Sequence, residues 1–185
     1  FTGDGNVDCV LGQNFYGAQP ETGWMDAGLG LLLRGRGDGT FDPVEAGESG
    51  IFVPGAAMAA TAVDLNGDGR PEIAFAENSG RIRVFSDPNA ATAKNKMLAV
   101  SLATTGAGAG GSAGARVTVK GIGIKPMTAE IYAGAGYLSA SEAKLWFGLG
   151  EIDPASVIEV EVLWPDGTKT KKEVAAGAKS VMIRP

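Results

Sequence analysis

The stretch DLNGDGRPEIAFAEN, residues 64 to 78, decides the fold. Its first part puts oxygen-bearing side chains at Asp64, Asn66 and Asp68, alternate positions that a tightly turned loop can aim at one centre. Gly67 and Gly69 permit the sharp turn, the carbonyl of Arg70 falls where such loops supply a main-chain oxygen, and Glu72 can close the shell from the far side. Hard cations such as calcium take an all-oxygen set of this kind. An EF-hand would need its bidentate Glu at the twelfth loop position, which is Phe75, and it would need flanking helices. Here the apolar run Ile73 to Ala76 follows the last ligand directly, so the spacing predicts a calcium loop joining two strands. The plainer reading is an acidic, Asx-rich turn without metal.

A second copy of this pattern lies upstream. TGDGNVDCVLGQN (2 to 14) and NGDGRPEIAFAEN (66 to 78) share a small polar residue, Gly-Asp-Gly, an acid, a four-residue apolar run and a closing Asn. The first copy keeps Thr2, Asp4, the Asn6 carbonyl and Asp8 as candidate ligands, but the place of Asp64 falls before Phe1. Between the copies, Leu29 to Arg34 and Ala59 to Val63 are strand-length, and GRGDGTF (35 to 41) is a glycine-rich turn. After the second copy, a turn at Glu77 to Gly80 leads into RIRVF (81 to 85), whose Ile82 and Val84 are expected to face the core in alternation with the arginines. DPNAATAKNK then breaks the pattern and places a domain boundary near residue 90, giving domains 1–90 and 91–185.

The second half also alternates. Leu98, Val100 and Leu102 share one face; Val117 and Val119 sit between polar neighbours; Ile158, Val160, Val162 and Trp164 share another face. Residues 106 to 115, rich in Gly and Ala, read as a loop, and WPDGTK (164 to 169) as a hairpin turn. No helix is expected, beyond one turn that Ser139 to Lys144 could form.

Composition narrows the function. The 185 residues carry a formal charge of −5 with no cluster of Lys and Arg, which argues against nucleic acid and suits metal cations. No apolar run approaches the length of a membrane span, and residue 1 falls inside a motif, so any signal peptide is expected upstream of it. With no histidine, the commonest general base, triad partner and transition-metal ligand are all missing. The single cysteine, Cys9, cannot form an internal disulfide, and VDCVLG predicts a buried thiol.

DLNGDGRPEIAFAEN with RIRVF, and GDGTF upstream, resembles the FG-GAP or VCBS repeat, the calcium-binding blade unit of integrin-α-type β-propellers. The resemblance covers about residues 1 to 88 and implies calcium ligands at Asp64, Asn66, Asp68, the Arg70 carbonyl and Glu72, the last standing where Asp is usual. The second half is similar to the ASPIC/UnbV domain of cartilage acidic protein-like secreted proteins, through GARVTVK (114 to 120), EIYAGAGYLSAS (130 to 141), LWFGLG (145 to 150) and VEVLWPDGT (160 to 168). Together these imply an all-β chain, a partial β-propeller of about two blade equivalents followed by a small β-sandwich or barrel-like domain. They also imply an extracellular, cell-surface or periplasmic setting and no catalytic residues. Because two blades cannot close a ring, the blades are expected to pack on the second domain or on another copy of the chain.

Several sharper readings compete with plainer ones. Arg36-Gly37-Asp38 spells an integrin-recognised tripeptide but also belongs to the GDGTF turn. Tyr137, Trp146, Phe147 and Trp164 could stack on sugars, yet a small β domain needs aromatic residues in its core. Lys169, Lys171 and Lys172 read as a solvated strand face. Glu130, Glu142, Glu151 and Asp153 could in principle form a glycosidase pair, but nothing in the sequence holds two of them at a working distance. The reading that results is a non-catalytic, calcium-binding module for protein interaction, adhesion or scaffolding, with carbohydrate binding through the C-terminal domain as the alternative.

Overall fold

The computed structural model describes residues 1–23, 25–103 and 112–185. Most of the 106–115 segment expected to be a loop lies outside the described residues. The chain is all-β, and the described residues form four sheets. The first sheet runs in the order β1-β2-β3, from Cys9–Leu11, Leu31–Gly35 and Phe41–Val44, and the second in the order β4-β5-β6, from Ala57–Val63, Glu72–Glu77 and Ile82–Phe85. All pairings in these two sheets are antiparallel.

The internal repeat is visible in the strand register. Cys9 lies opposite Leu33 as Ile73 lies opposite Phe85; Val10 faces Leu32 as Ala74 faces Val84; Leu11 faces Leu31 as Phe75 faces Arg83. Thus β1 corresponds to β5 and β2 to β6. The second sheet has an inner strand, β4, that the first lacks, and the first has an outer strand, β3, that the second lacks. Each sheet is a three-strand window on one four-strand blade, which makes the N-terminal region a partial propeller. Leu32, Val44, Ile51, Val53, Ile73 and Phe75 form its core, with Phe85 packed edge-on against Phe75 at 5.8 Å. Asn14, the residue that closes the first repeat copy, is buried at φ 72° and ties two loops together. Its amide nitrogen donates to the carbonyls of Gly28, Pro54 and Gly55, and its oxygen accepts from the amides of Ala27 and Gly28.

In β6 the alternation is as expected but its phase is reversed. Ile82 is 74% exposed and Val84 faces solvent, while Arg83 and Phe85 turn inward. Phe85 is the larger apolar group and takes the core position beside Phe75. Arg83 on the same face is accommodated because its Nε donates at 2.8 Å to Glu77, a carboxylate otherwise buried. Cys9 is half-buried rather than buried. A short helix that the sequence did not announce, α1 at Ala46–Ser49, ends at Gly50 in the left-handed region (φ 70°). Ser139 to Lys144 forms no helical turn; it is an extended approach to a strand.

The second domain is a sandwich. One sheet has the order β10-β7-β13, from Lys144–Gly150, Lys96–Leu102 and Ser180–Ile183; the other has the order β12-β11-β8-β9, from Lys169–Ala175, Val157–Leu163, Arg116–Gly121 and Ile124–Glu130. Among the described residues, only the β13–β7 pairing is parallel. Leu98, Val100, Val117, Val119, Phe147, Ile158, Val160, Val162 and Trp164 meet between the sheets in one core, as the alternation predicted. The turn after Trp164 closes with Gly167 at φ 86°, and the indole donates to the Thr170 hydroxyl at 3.0 Å. Strand β7 is buried on both faces, Leu98 and Val100 toward this core and Met97 and Ala99 on the reverse. The N-terminal region covers that reverse side: Gly3 lies against Met97, and the Gly150 amide donates to the Gly3 carbonyl at 2.9 Å. The blades do pack on the second domain.

The reversed phase of β6 has a direct consequence. Phe75→Ala is expected to lower unfolding stability by about 3–5 kcal/mol, whereas Ile82→Lys stays within about 0.5 kcal/mol. Denaturant titration of both variants would check this, and a large loss from Ile82→Lys would return that side chain to the core.

Candidate metal loop

The loop from Asp64 to Glu72 connects β4 to β5, so both ends are fixed by the sheet. Gly67 and Gly69 take φ values of 73° and 85°, the left-handed region that the double turn requires. The side chains of the loop form a ladder of Asx turns. Asn66 Oδ1 accepts the Asp68 amide at 2.8 Å, Asp68 Oδ1 accepts the Arg70 amide at 2.8 Å, and Asp64 Oδ2 accepts the Gly69 amide at 3.2 Å. Glu72, buried as the first residue of β5, accepts the Leu65 amide at 2.7 Å and the Asn66 side-chain amide at 2.9 Å. The five sequence-predicted residues are therefore drawn into one hydrogen-bonded loop. Its carboxylates are turned onto the loop's own amides, and among the described residues no three His, Cys, Asp or Glu side chains are gathered as a metal cluster.

One atom does not share in this ladder. Among the described residues, Asp64 Oδ1 has no hydrogen-bond partner, although it is buried and the side chain to which it belongs is only 3% exposed. A carboxylate oxygen without a partner in the interior is costly, and a cation in the loop would relieve that cost. The oxygen types that the loop carries suit calcium, which accepts amide and main-chain oxygens beside carboxylates. On both grounds the residues fit the ion: Asp64, Asn66, Asp68 and Glu72 would offer side-chain oxygens and Arg70 its carbonyl.

The first loop repeats this pattern. Asp4 Oδ1 accepts the Asn6 amide at 2.8 Å as Asp68 does that of Arg70, and Gly3 and Gly5 repeat the positive φ of Gly67 and Gly69. Asp8 takes the place of Glu72, accepting the Thr2 amide and hydroxyl at 2.8 and 2.9 Å through Oδ2 and the Gly35 amide at 3.0 Å through Oδ1. Burial pushes the Asp8 carboxyl up, but the amides of Thr2 and Gly35 together with the ammonium of Phe1 hold the group below the ordinary aspartate value.

Sequence reasoning missed the residues from the second domain that reach the loop. Lys144, at the start of β10, places its ammonium 3.2 Å from Asp64 Oδ2 and 2.9 Å from Glu142 Oε1. Burial works against its charge, yet the hydrogen bonds to Glu142 and Asp64 raise its pKa above the ordinary lysine value. The Asp64 amide donates to Glu142 Oε2 at 3.1 Å, and the Arg70 guanidinium to the Asn95 carbonyl at 2.5 Å. No local signal marks these contacts, because the partners are far apart in the chain.

The other candidates fall out as follows. Arg36 is paired with Asp42, and Asp38 accepts the Thr40 amide and hydroxyl, so the tripeptide's charged groups are engaged within their own hairpin. Phe147 and Trp164 belong to the core, Trp146 lines a cleft of about 340 Å³ between the domains, and Tyr137 is exposed with Tyr132 and Leu138. Glu130 is paired with Arg116, and Asp153 accepts the Ala155 amide. Lys171 pairs with Glu159 and Glu161 on the solvated face of β12 and β11.

A partial propeller with repeated acidic turns, set on a β-sandwich, is the class that fold and loop define. Residues 1–75 match the family model of the FG-GAP-like repeat, and residues 108–185 match that of ASPIC and UnbV. The two matches follow one another along the chain in the order that the sequence motifs suggested. FG-GAP repeats occur typically in extracellular proteins, and the pairing suggests an extracellular-type protein-interaction module. No helix among the described residues is long and apolar enough to cross a membrane. No curated protein matches the chain.

The loop geometry separates its two glycines. A Cβ on Gly67 would meet no atom within 4 Å, whereas one on Gly69 would lie 2.5 Å from the Lys179 carbonyl oxygen. Gly67→Ala is expected to cost about 1–2 kcal/mol from backbone conformation alone. Gly69→Ala should cost clearly more in the same thermal melts, and equal losses would contradict this docking of the loop.

Proposed function

We propose that the chain is a non-catalytic, calcium-binding module that works outside the cytoplasm in protein interaction, adhesion or scaffolding. The buried, unpartnered Asp64 Oδ1 carries the calcium part of this reading. Calcium's role is structural: it holds the tight loop between β4 and β5 and so the inner edge of the blade. Binding to the folded loop alone adds about 2.7 kcal/mol of stability at a hundred times the dissociation constant. Extracellular calcium modules bind at about 0.1–1 mM, so the loop would fill outside the cell and empty in the cytosol.

The interaction part is supported by the family pairing and by the exposed segment Tyr132 to Leu138, where two tyrosines and a leucine stand in solvent. Tyrosine among Gly, Ala and Ser offers broad contact at low entropic cost, a composition familiar in protein-recognition loops. Carbohydrate binding is the second reading, and it moves from Trp164, a core residue, to Tyr132 and Tyr137. Self-association through the solvent-facing side of β6, with Ile82 and Val84, belongs to the same proposal.

Calorimetric calcium titration and thermal melting of the wild type and of Asp68→Ala test the metal. Millimolar binding with a raised Tm is expected in the wild type, and neither in the variant. Absence of binding in the wild type at several millimolar calcium would remove the metal from the reading.

A further inference from the structure

Asp64 is shared between two parts of the chain. Its Oδ2 takes the Gly69 amide and the Lys144 ammonium, each at 3.2 Å, while its Oδ1 stays buried without a partner. Lys144 and Glu142 belong to a segment of the second domain that lies along the free edge of β4 like a short extra strand. The Glu142 amide donates to the Ala62 carbonyl at 3.2 Å, the Ala62 amide to the Ser141 hydroxyl at 3.3 Å, and the Thr61 hydroxyl to the Ala140 carbonyl at 2.9 Å. Further round the loop, Gly69 is pressed against the Lys179 backbone and Arg70 reaches Asn95. A loop that served only its own blade would need none of these contacts.

We propose that the loop is a clasp between the domains: Lys144 and Glu142 are positioning residues that hold Asp64 with its free oxygen toward the cation, and the cation fastens residues 140–144 onto β4. This rests on the calcium reading above. The charges allow it. Lys144 and Glu142 together are neutral, so the strap brings no net positive charge to the loop, and the ammonium and the cation would use different oxygens of one carboxylate. The coupling is reciprocal: whatever calcium adds to closure of the strap, the closed strap adds to calcium affinity. Through the strap the cation also reaches Tyr132 to Leu138, the exposed residues that immediately precede it.

Backbone hydrogen exchange on the whole chain, with and without saturating calcium, tests the clasp. In the wild type, calcium is expected to slow exchange of the Glu142 and Asp64 amides about tenfold, beyond its effect on the amides of residues 66–72. Lys144→Met, checked for folding by its melt, should still bind calcium and protect residues 66–72 but lose the protection at Glu142. Lys125→Met, which removes a different contact between the domains (to the Gly37 carbonyl at 3.4 Å), should behave as wild type. Calcium that binds the wild type yet protects only the loop amides overturns the clasp and leaves the metal reading standing, as does full protection at Glu142 in Lys144→Met. No binding at all overturns both. The wild-type comparison decides even if the Lys144 variant does not fold.

Discussion

A carboxylate taken out of water needs its charge answered, and in this chain the arrangement around Asp64 depends on how that is done. The loop's own amide from Gly69 and the ammonium of Lys144 answer one oxygen, and the other remains open in the interior. Because Lys144 comes from the second domain, the electrostatic requirement of one aspartate becomes a requirement on how the two domains sit. Glu142 reinforces it by accepting the Asp64 amide, so backbone and side chain of the same residue are held from the same direction.

Close backbone approach does the remaining work of seating the domains. A Cβ on Gly148 would fall 2.6 Å from the Gly3 carbonyl carbon, and one on Gly69 2.5 Å from the Lys179 carbonyl oxygen. Glycine at these places lets the two acidic turns press onto the sandwich, the first at β10 and the second beside the turn into β13. The turns therefore have two faces: an inner one where Asx hydrogen bonds set the loop, and an outer one that is part of the contact between domains. Among the described residues, the reverse side of β7 meets the first acidic turn and the 140–144 strap lies along β4.

The loop itself was legible because everything that shapes it is local. Alternating Asp, Asn and Asp with interleaved glycines make Asx turns wherever they occur, and the apolar run after Glu72 can only continue as a strand. The repeat was legible for the same reason, and the matched registers of β1–β2 and β5–β6 follow from it. The facing of β6 was not. A four-residue strand with Ile82 and Val84 on one side and Arg83 and Phe85 on the other has two apolar phases, and only the position of Phe75 and the buried Glu77 chooses between them.

By itself, then, the sequence determined the strand-rich class, the two acidic turns with their alternating oxygen-bearing side chains, and the sandwich core of alternating Val, Ile and Leu, since each depends on residues a few positions apart. The tertiary structure alone decided which tyrosines and tryptophans are surface and which are core. It also decided that Lys144 and Glu142 meet Asp64, and that the acidic turns lie against the second domain. Those contacts join residues distant in the chain, and their energies come from burial and from charge pairing, which exist only once the sheets have brought the partners together.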